Sequence, residues 1–251
     1  MARQKGVLTL DGKAGTLSFF QGRNGFGARS SDGMNGNRIR EDDKFIRTRE
    51  NGMEFGRAGK AGKILRDAFR SLTVNMADGR LTSRMTSHMV KVVKSDPTNG
   101  RGLRRPENGD FDLLVGFEFN GNTPLTQVFL SPFNATLDAA SNSGVVNLPG
   151  FNPQKNVSAP KGATHYRFLL GICAVDFLNA VFFDSSTMSE LQELSAAGVP
   201  ASSLTVGLPA SEGDTLPLFL AFGIEFLQVV NGIEYSINNT KNNAMRIVAV
   251  G

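Results

Sequence analysis

The sequence predicts an α+β fold in which an N-terminal β-hairpin and a basic αα-hairpin join a C-terminal antiparallel β-sandwich of Ig-like or jelly-roll-like type. Apolar residues recur at helical spacing between about residues 42 and 94. After residue 106, short aromatic and β-branched runs are separated by Asn, Gly and Pro turns. Charge reverses between the two regions: residues 1–105 carry 22 Lys+Arg against 10 Asp+Glu, and residues 106–251 carry 5 against 13. The expected divisions are 1–40, a hairpin and flexible arm; 41–105, a basic helical hairpin and linker; and 106–251, an acidic sandwich.

Val7-Leu8-Thr9-Leu10 and Gly15-Thr16-Leu17-Ser18-Phe19-Phe20 flank Asp11-Gly12, a pair that favours a tight hairpin turn. Gly22 to Asn37 is rich in Gly, Asn, Ser and Arg and predicts a loop or arm. From about Asp42 to Asn75, Ala58, Ala61, Leu65, Ala68 and Leu72 share one helix face. Beside it Arg57, Lys60, Lys63, Arg66 and Arg70 form a basic band, the expected face for assembly or phosphate contact. Gly52, Gly56, Gly59 and Gly62 also recur in phase, at about 1 kcal/mol each relative to alanine. Two readings stand: a stripe for close packing against another element, or a helix that begins only after Gly62.

A second helix is expected from about Asp78, as N-cap, to Lys94, with Leu81, Met85, His88, Met89 and Val92 on one face. Strands are expected at 111–119, 125–130, 136–138, 145–148, 164–176, 180–183, 204–206, 216–229, 233–237 and 245–250. Asn231-Gly232 predicts a type I′ turn, and Ser189–Ala197 a short helix.

Little in the chain suggests catalysis. His88 and His165 lie in different predicted units without ligand-type neighbours, and Cys173 sits in an apolar run that favours an inert core thiol. No Gly-x-Ser-x-Gly elbow occurs. The run from Gly56 to Lys63 fails as a nucleotide phosphate loop, since Arg57 and Ile64 stand where Gly and Ser or Thr are needed. Phe45, Phe55 and Phe69 read as helix core rather than base-stacking platforms. The expectation is a non-enzymatic protein with no cofactor and no metal. The longest apolar run, Leu216 to Val230, contains Pro217, Glu225 and Gln228 and suits a buried strand, so no membrane span is expected. The N-terminus lacks an apolar segment of signal-peptide length, which predicts cytoplasmic synthesis and leaves the final location open.

Three blocks carry a resemblance: Gln4 to Phe20, Phe45 to Arg66, and Leu218 to Gly232. Together they are similar to a family of uncharacterised proteins widespread in Bacteroidota. The resemblance implies a bacterial host and a shared architecture, and supplies no catalytic residue or ligand.

The charge division points to a structural homo-oligomer that assembles into a filament, tube or shell. Basic helices would meet acidic sandwiches of neighbouring copies, and the N-terminal hairpin would exchange strands. The alternative is a binding module that engages nucleic acid or an acidic partner through the basic helices.

Overall fold

A computed structural model of the chain describes residues 2–3, 10–22, 25–30, 36–209, 216–237 and 242–251. The chain divides into two units, Met1–Glu50 and Asn51–Gly251. The boundary falls inside the first long helix, not at the expected 105/106 linker.

In the first unit, strands β1 (Ala2–Arg3), β2 (Gly12–Ala14), β3 (Leu17–Gly22) and β4 (Gly25–Ser30) form an antiparallel sheet in the order β1-β4-β3-β2. The hairpin turn is Gly15-Thr16 rather than Asp11-Gly12, because Gly15 supplies the left-handed conformation, φ 59°, between β2 and β3. Val7–Thr9 of the expected first strand lie outside the described residues. Part of the expected arm is β4, whose alternating Phe26, Ala28 and Ser30 stand in register with Gln21, Phe19 and Leu17. Helix α1 (Gly36–Glu41) follows, then a 3-10 turn at Asp43–Phe45 that the Asp42 carboxylate caps by accepting the Lys44 amide. Arg49 donates to the Ile39 and Asp42 carbonyls and ties this corner to the start of α2 (Ile46–Ala68).

Register sorts the sheet's side chains into two faces. Lys13, Ser18, Phe20, Gly27 and Arg29 share one; Ala14, Leu17, Phe19, Gln21, Phe26 and Ala28 share the other, which carries no charge among the described residues. On the first face, the Phe20 ring lies over Gly27, where a Cβ would strike it at 2.8 Å, and Arg29 stands 5.7 Å from the ring centroid.

The second unit has three layers. Helices α2, α3 (Arg70–Thr73) and α4 (Leu81–Lys94) form the first. Next in chain order come one-turn helix α5 (Leu125–Val128), strands β5 (Asn134–Asp138) and β6 (Ser143–Leu148), and one-turn helix α6 (Pro153–Asn156). Then follow β7 (His165–Asp176), β8 (Val181–Met188), β9 (Gln192–Glu193), β10 (Ser202–Gly207), β11 (Leu218–Val230), β12 (Ile233–Ser236) and β13 (Ala244–Val250). The middle layer is an antiparallel sheet in which β7 and β11 pair along ten residues. β8 and β9 flank β7, and β13 and β12 follow one another along the far edge of β11. The third layer is β10-β6-β5, which gives the sandwich-like β architecture.

The unbroken apolar runs of β7 and β11 follow from burial on both faces. Leu169, Cys173, Phe219 and Ala221 meet the helices through Leu65, Phe69, Met85 and Met89. Phe168, Leu170, Leu220 and Phe222 meet Val146, Leu148, Leu204 and Val206 of the small sheet. The helices and the middle sheet therefore share one core, so the expected helical hairpin is not a separate unit. At Asn231-Gly232 both residues take positive φ, 53° and 77°, as the expected turn requires.

Four further expectations change. The second helix starts at Leu81, and the Asp78 carboxylate accepts from the Arg80 and Gly121 amides instead of capping it. Residues 111–119 are not a regular strand. Phe111–Leu114 is a 3-10 turn, and Gly116 to Phe119 then bonds along β13. Residues 125–130 hold α5, started by Pro124. Ser189–Ala197 contains β9 rather than a helix, since its polar residues close the edge of β7.

Two glycine substitutions separate packing from helix propensity. A Cβ at Gly109 would collide with the Val92 carbonyl oxygen, so Gly109→Ala should lower the unfolding free energy by about 2 kcal/mol. Gly56 lies within α2 with nothing within 4 Å of its Cβ position, so Gly56→Ala should raise it by up to about 1 kcal/mol. Urea titrations of both variants check the opposite signs.

Candidate assembly face and cationic pocket

The buried side of α2 carries Glu54, Ala58, Ala61, Leu65 and Ala68. Glu54 is only 2% exposed, and its Oε1 accepts the Gly102 amide at 2.8 Å. Arg57 donates through one Nη to the Gly102 and Arg104 carbonyls at 2.7 and 3.1 Å. Asp96 organises the same loop by accepting from the Thr98, Asn99 and Arg105 amides and the Asn99 side chain. Although burial opposes it, these bonds hold its carboxyl well below the usual carboxylate range. Helix and loop are thus fixed to one another by groups that cannot be left bare.

The five expected basic residues do not form one uniform face. Arg57 is engaged by the 102–104 loop, and Arg66 donates to the Gly62 carbonyl and to Thr82 Oγ1 on α4. Lys60, Lys63 and Arg70 are exposed. The glycine stripe divides too. α2 runs through all four glycines, which removes the reading that the helix begins after Gly62. Only Gly62 makes a close approach, with Met85 Cγ 3.1 Å from its Cβ position; Gly52, Gly56 and Gly59 have nothing within 4 Å.

Arg57 and Lys60 contribute to a feature absent from the sequence reading. With Arg105 they border a pocket of about 200 Å³ whose walls include Ala61, Pro106, Phe177 and Leu178, with Glu107 also lining it. Phe177 is buried and Leu178 is 66% exposed. The sequence signal was the Arg104-Arg105-Pro106 step, which straddles the expected 105/106 boundary, and the apolar Phe177-Leu178 pair after β7. Neither indicates that the β7–β8 turn comes to the helix.

The remaining candidates are placed in structural contacts. His88 Nδ1 lies 3.1 Å from the Arg84 carbonyl, and its ring packs edge-on to Phe117. His165 Nδ1 lies 2.8 Å from Thr164 Oγ1. Cys173 is buried, and burial together with Asp184 raises its thiol well above the usual range. No group of three or more His, Cys, Asp or Glu side chains gathers as a metal site among the described residues. No helix among them is long and apolar enough to cross a membrane. Comparisons with protein-family models, curated proteins and solved structures find no match.

Two buried charge clusters brace the sheet. Glu225 on β11 faces Arg167 on β7, at 2.6 Å, and also accepts from Ser236. Arg84 on α4 bonds Asp78 and the Glu118 and Phe119 carbonyls. Burial raises the Glu118 carboxyl to about 6, against the lowering effects of the Leu125 amide, Arg246 and Arg84. Between its ordinary value of 4.5 and about 6, the folded chain binds more protons at this group than the unfolded chain does. The Glu118 contribution to stability is therefore fully present below 4.5 and is lost as pH rises through about 6. Glu118→Gln should remove that slope. Urea midpoints across the window should show the variant gaining on the wild type as pH rises, and parallel curves would contradict the assignment.

Proposed function

We propose that the protein is a structural subunit that self-assembles, with the N-terminal sheet as the part completed by a neighbouring copy. The observation that carries this reading is the burial of residues 1–50. Gly27 is the only buried residue among those whose burial is described in that unit. Ordering each residue costs about 1–2 kcal/mol of backbone entropy, and a small sheet without a covered apolar face is marginal in water. The charge-free face with Leu17, Phe19 and Phe26 supplies such a surface. A second copy presents the same neutral face, so two can pack without an unpaired charge, whereas the Lys13 and Arg29 faces would repel.

The charge division supports a second contact. Lys60 and Lys63 on α2 and Arg70 on α3 stand exposed, while Asp112, Asp138, Asp184, Glu190 and Glu193 are exposed carboxylates of the acidic half. Attraction between these sets in different copies would give head-to-tail contacts that close into a ring or propagate. β1 and β2 end the sheet order of the first unit, which suits strand exchange.

Nuclease-treated full-length protein should form particles by light scattering and negative-stain microscopy. Phe19→Asp with Phe26→Asp should reduce the assembled fraction at least tenfold while leaving the core of residues 51–251 folded. Lys60→Glu with Lys63→Glu should weaken assembly more at low than at high salt. A wild type that stays monomeric across a wide concentration range would reject self-assembly.

A further inference from the structure

We propose that the pocket bordered by Arg57, Lys60 and Arg105 is a binding site for a phosphate group, a proposal that does not depend on self-assembly. Three cations from two chain segments line it, against one carboxylate, Glu107. Arg57 is held in place before any ligand arrives, because one of its Nη atoms is spent on the Gly102 and Arg104 carbonyls. Its Nε and other Nη have no partner among the described residues, so the fixed fork can still donate. Lys60 and Arg105 are exposed, and the Arg105 backbone is itself anchored by its amide bond to Asp96. Phe177, Ala61 and Pro106 are buried and line the same space. Apolar walls exclude water on that side and strengthen charge-assisted bonds to a ligand.

Size and donor number select the ligand class. A volume of about 200 Å³ holds a phosphate group and a few further atoms. Two guanidinium groups and one ammonium can serve three acceptor oxygens, where a carboxylate offers only two. The phosphate could belong to a free monoester, which presents three such oxygens, or to a nucleic-acid backbone, whose diester presents two and would engage fewer of the donors.

Calorimetry of the full chain with inorganic phosphate, and anisotropy with a labelled short oligodeoxythymidylate, distinguish these sources. The proposal expects the wild type to bind at least one probe. Binding should weaken about tenfold or more in Lys60→Ala/Arg105→Ala and change little in Lys63→Ala/Arg70→Ala, which lie outside the pocket. Leu178→Asp places a carboxylate on an exposed wall residue and should abolish binding without touching a bond that holds the fold. Binding of inorganic phosphate assigns the free group, whereas binding of the oligonucleotide alone assigns the nucleic-acid backbone. No binding of either probe, or equal losses in both double variants, overturns the proposal. Loss of assembly in Lys60→Ala/Arg105→Ala without phosphate binding also overturns it, and gives the pocket to a carboxylate of a neighbouring copy.

Discussion

Phe168–Val175 of β7 and Leu218–Ile224 of β11 contain no charged side chain, so neither face of this strand pair can be left in water. Burying a large apolar side chain is worth about 1.5–3 kcal/mol, which makes the double-sided pair the largest source of cohesion in the second unit. Its covers have different character. Helices α2 and α4 supply small and flexible residues, Ala58, Ala61, Met85 and Met89, to one face. The small sheet and α5 close an aromatic cluster on the other, where Phe129, Phe168 and Phe222 meet at centroid distances of 5.0 to 6.4 Å. Gly171 and Gly144 let these covers approach, since a Cβ at either would run into Leu72 or Leu220. Where the pair does become charged, at Glu225, the direct cross-strand partner is Arg167, as a buried carboxylate requires.

That dependence explains why the basic helix cannot be separated from the acidic sandwich. α2 owes its position to the sheet, and its polar groups then hold the 100–107 loop: Glu54 takes the Gly102 amide, and Arg57 takes two carbonyls. The loop carries Arg105 to the pocket, and the β7–β8 turn brings Phe177 and Leu178. The proposed phosphate site is thus a consequence of the same packing. Residues 1–50 are the opposite case. Among the described residues β2, β3 and β4 are paired in register, yet no large apolar side chain is buried, and the charge-free face has the composition of half a core.

Much of the second unit was legible in the sequence because its signals were local. The alternation and length of the apolar runs located β6, β7, β10, β11 and β13, and Asn231-Gly232 marked its turn. Ala58, Ala61, Leu65, Ala68 and Leu72 were read correctly as one buried face. The failures came from context. Residues 111–119 have strand-like composition, but Asp110 caps a 3-10 turn by accepting the Asp112 amide, and only the following residues reach β13. The Gly-rich stretch around β4 looks like a loop until β3 supplies its partner. Of the basic band, spacing found the helix side but not which cations the fold uses: Arg57 and Arg66 make structural bonds that no periodicity reveals. Arg105 was invisible as a site residue because the cations that share its pocket, Arg57 and Lys60, and the apolar Phe177 and Leu178 are all distant from it in sequence.

The most direct test of the central claim, that the first unit is completed only by a neighbour, is amide hydrogen exchange at two protein concentrations. Amides of β7 and β11 should exchange slowly at both, because their cover lies within residues 51–251. Amides of β3 and β4 should be protected in the concentrated, assembled sample and exchange rapidly in the dilute one. Equal, strong protection of β3 and β4 in a verified monomer would contradict the claim.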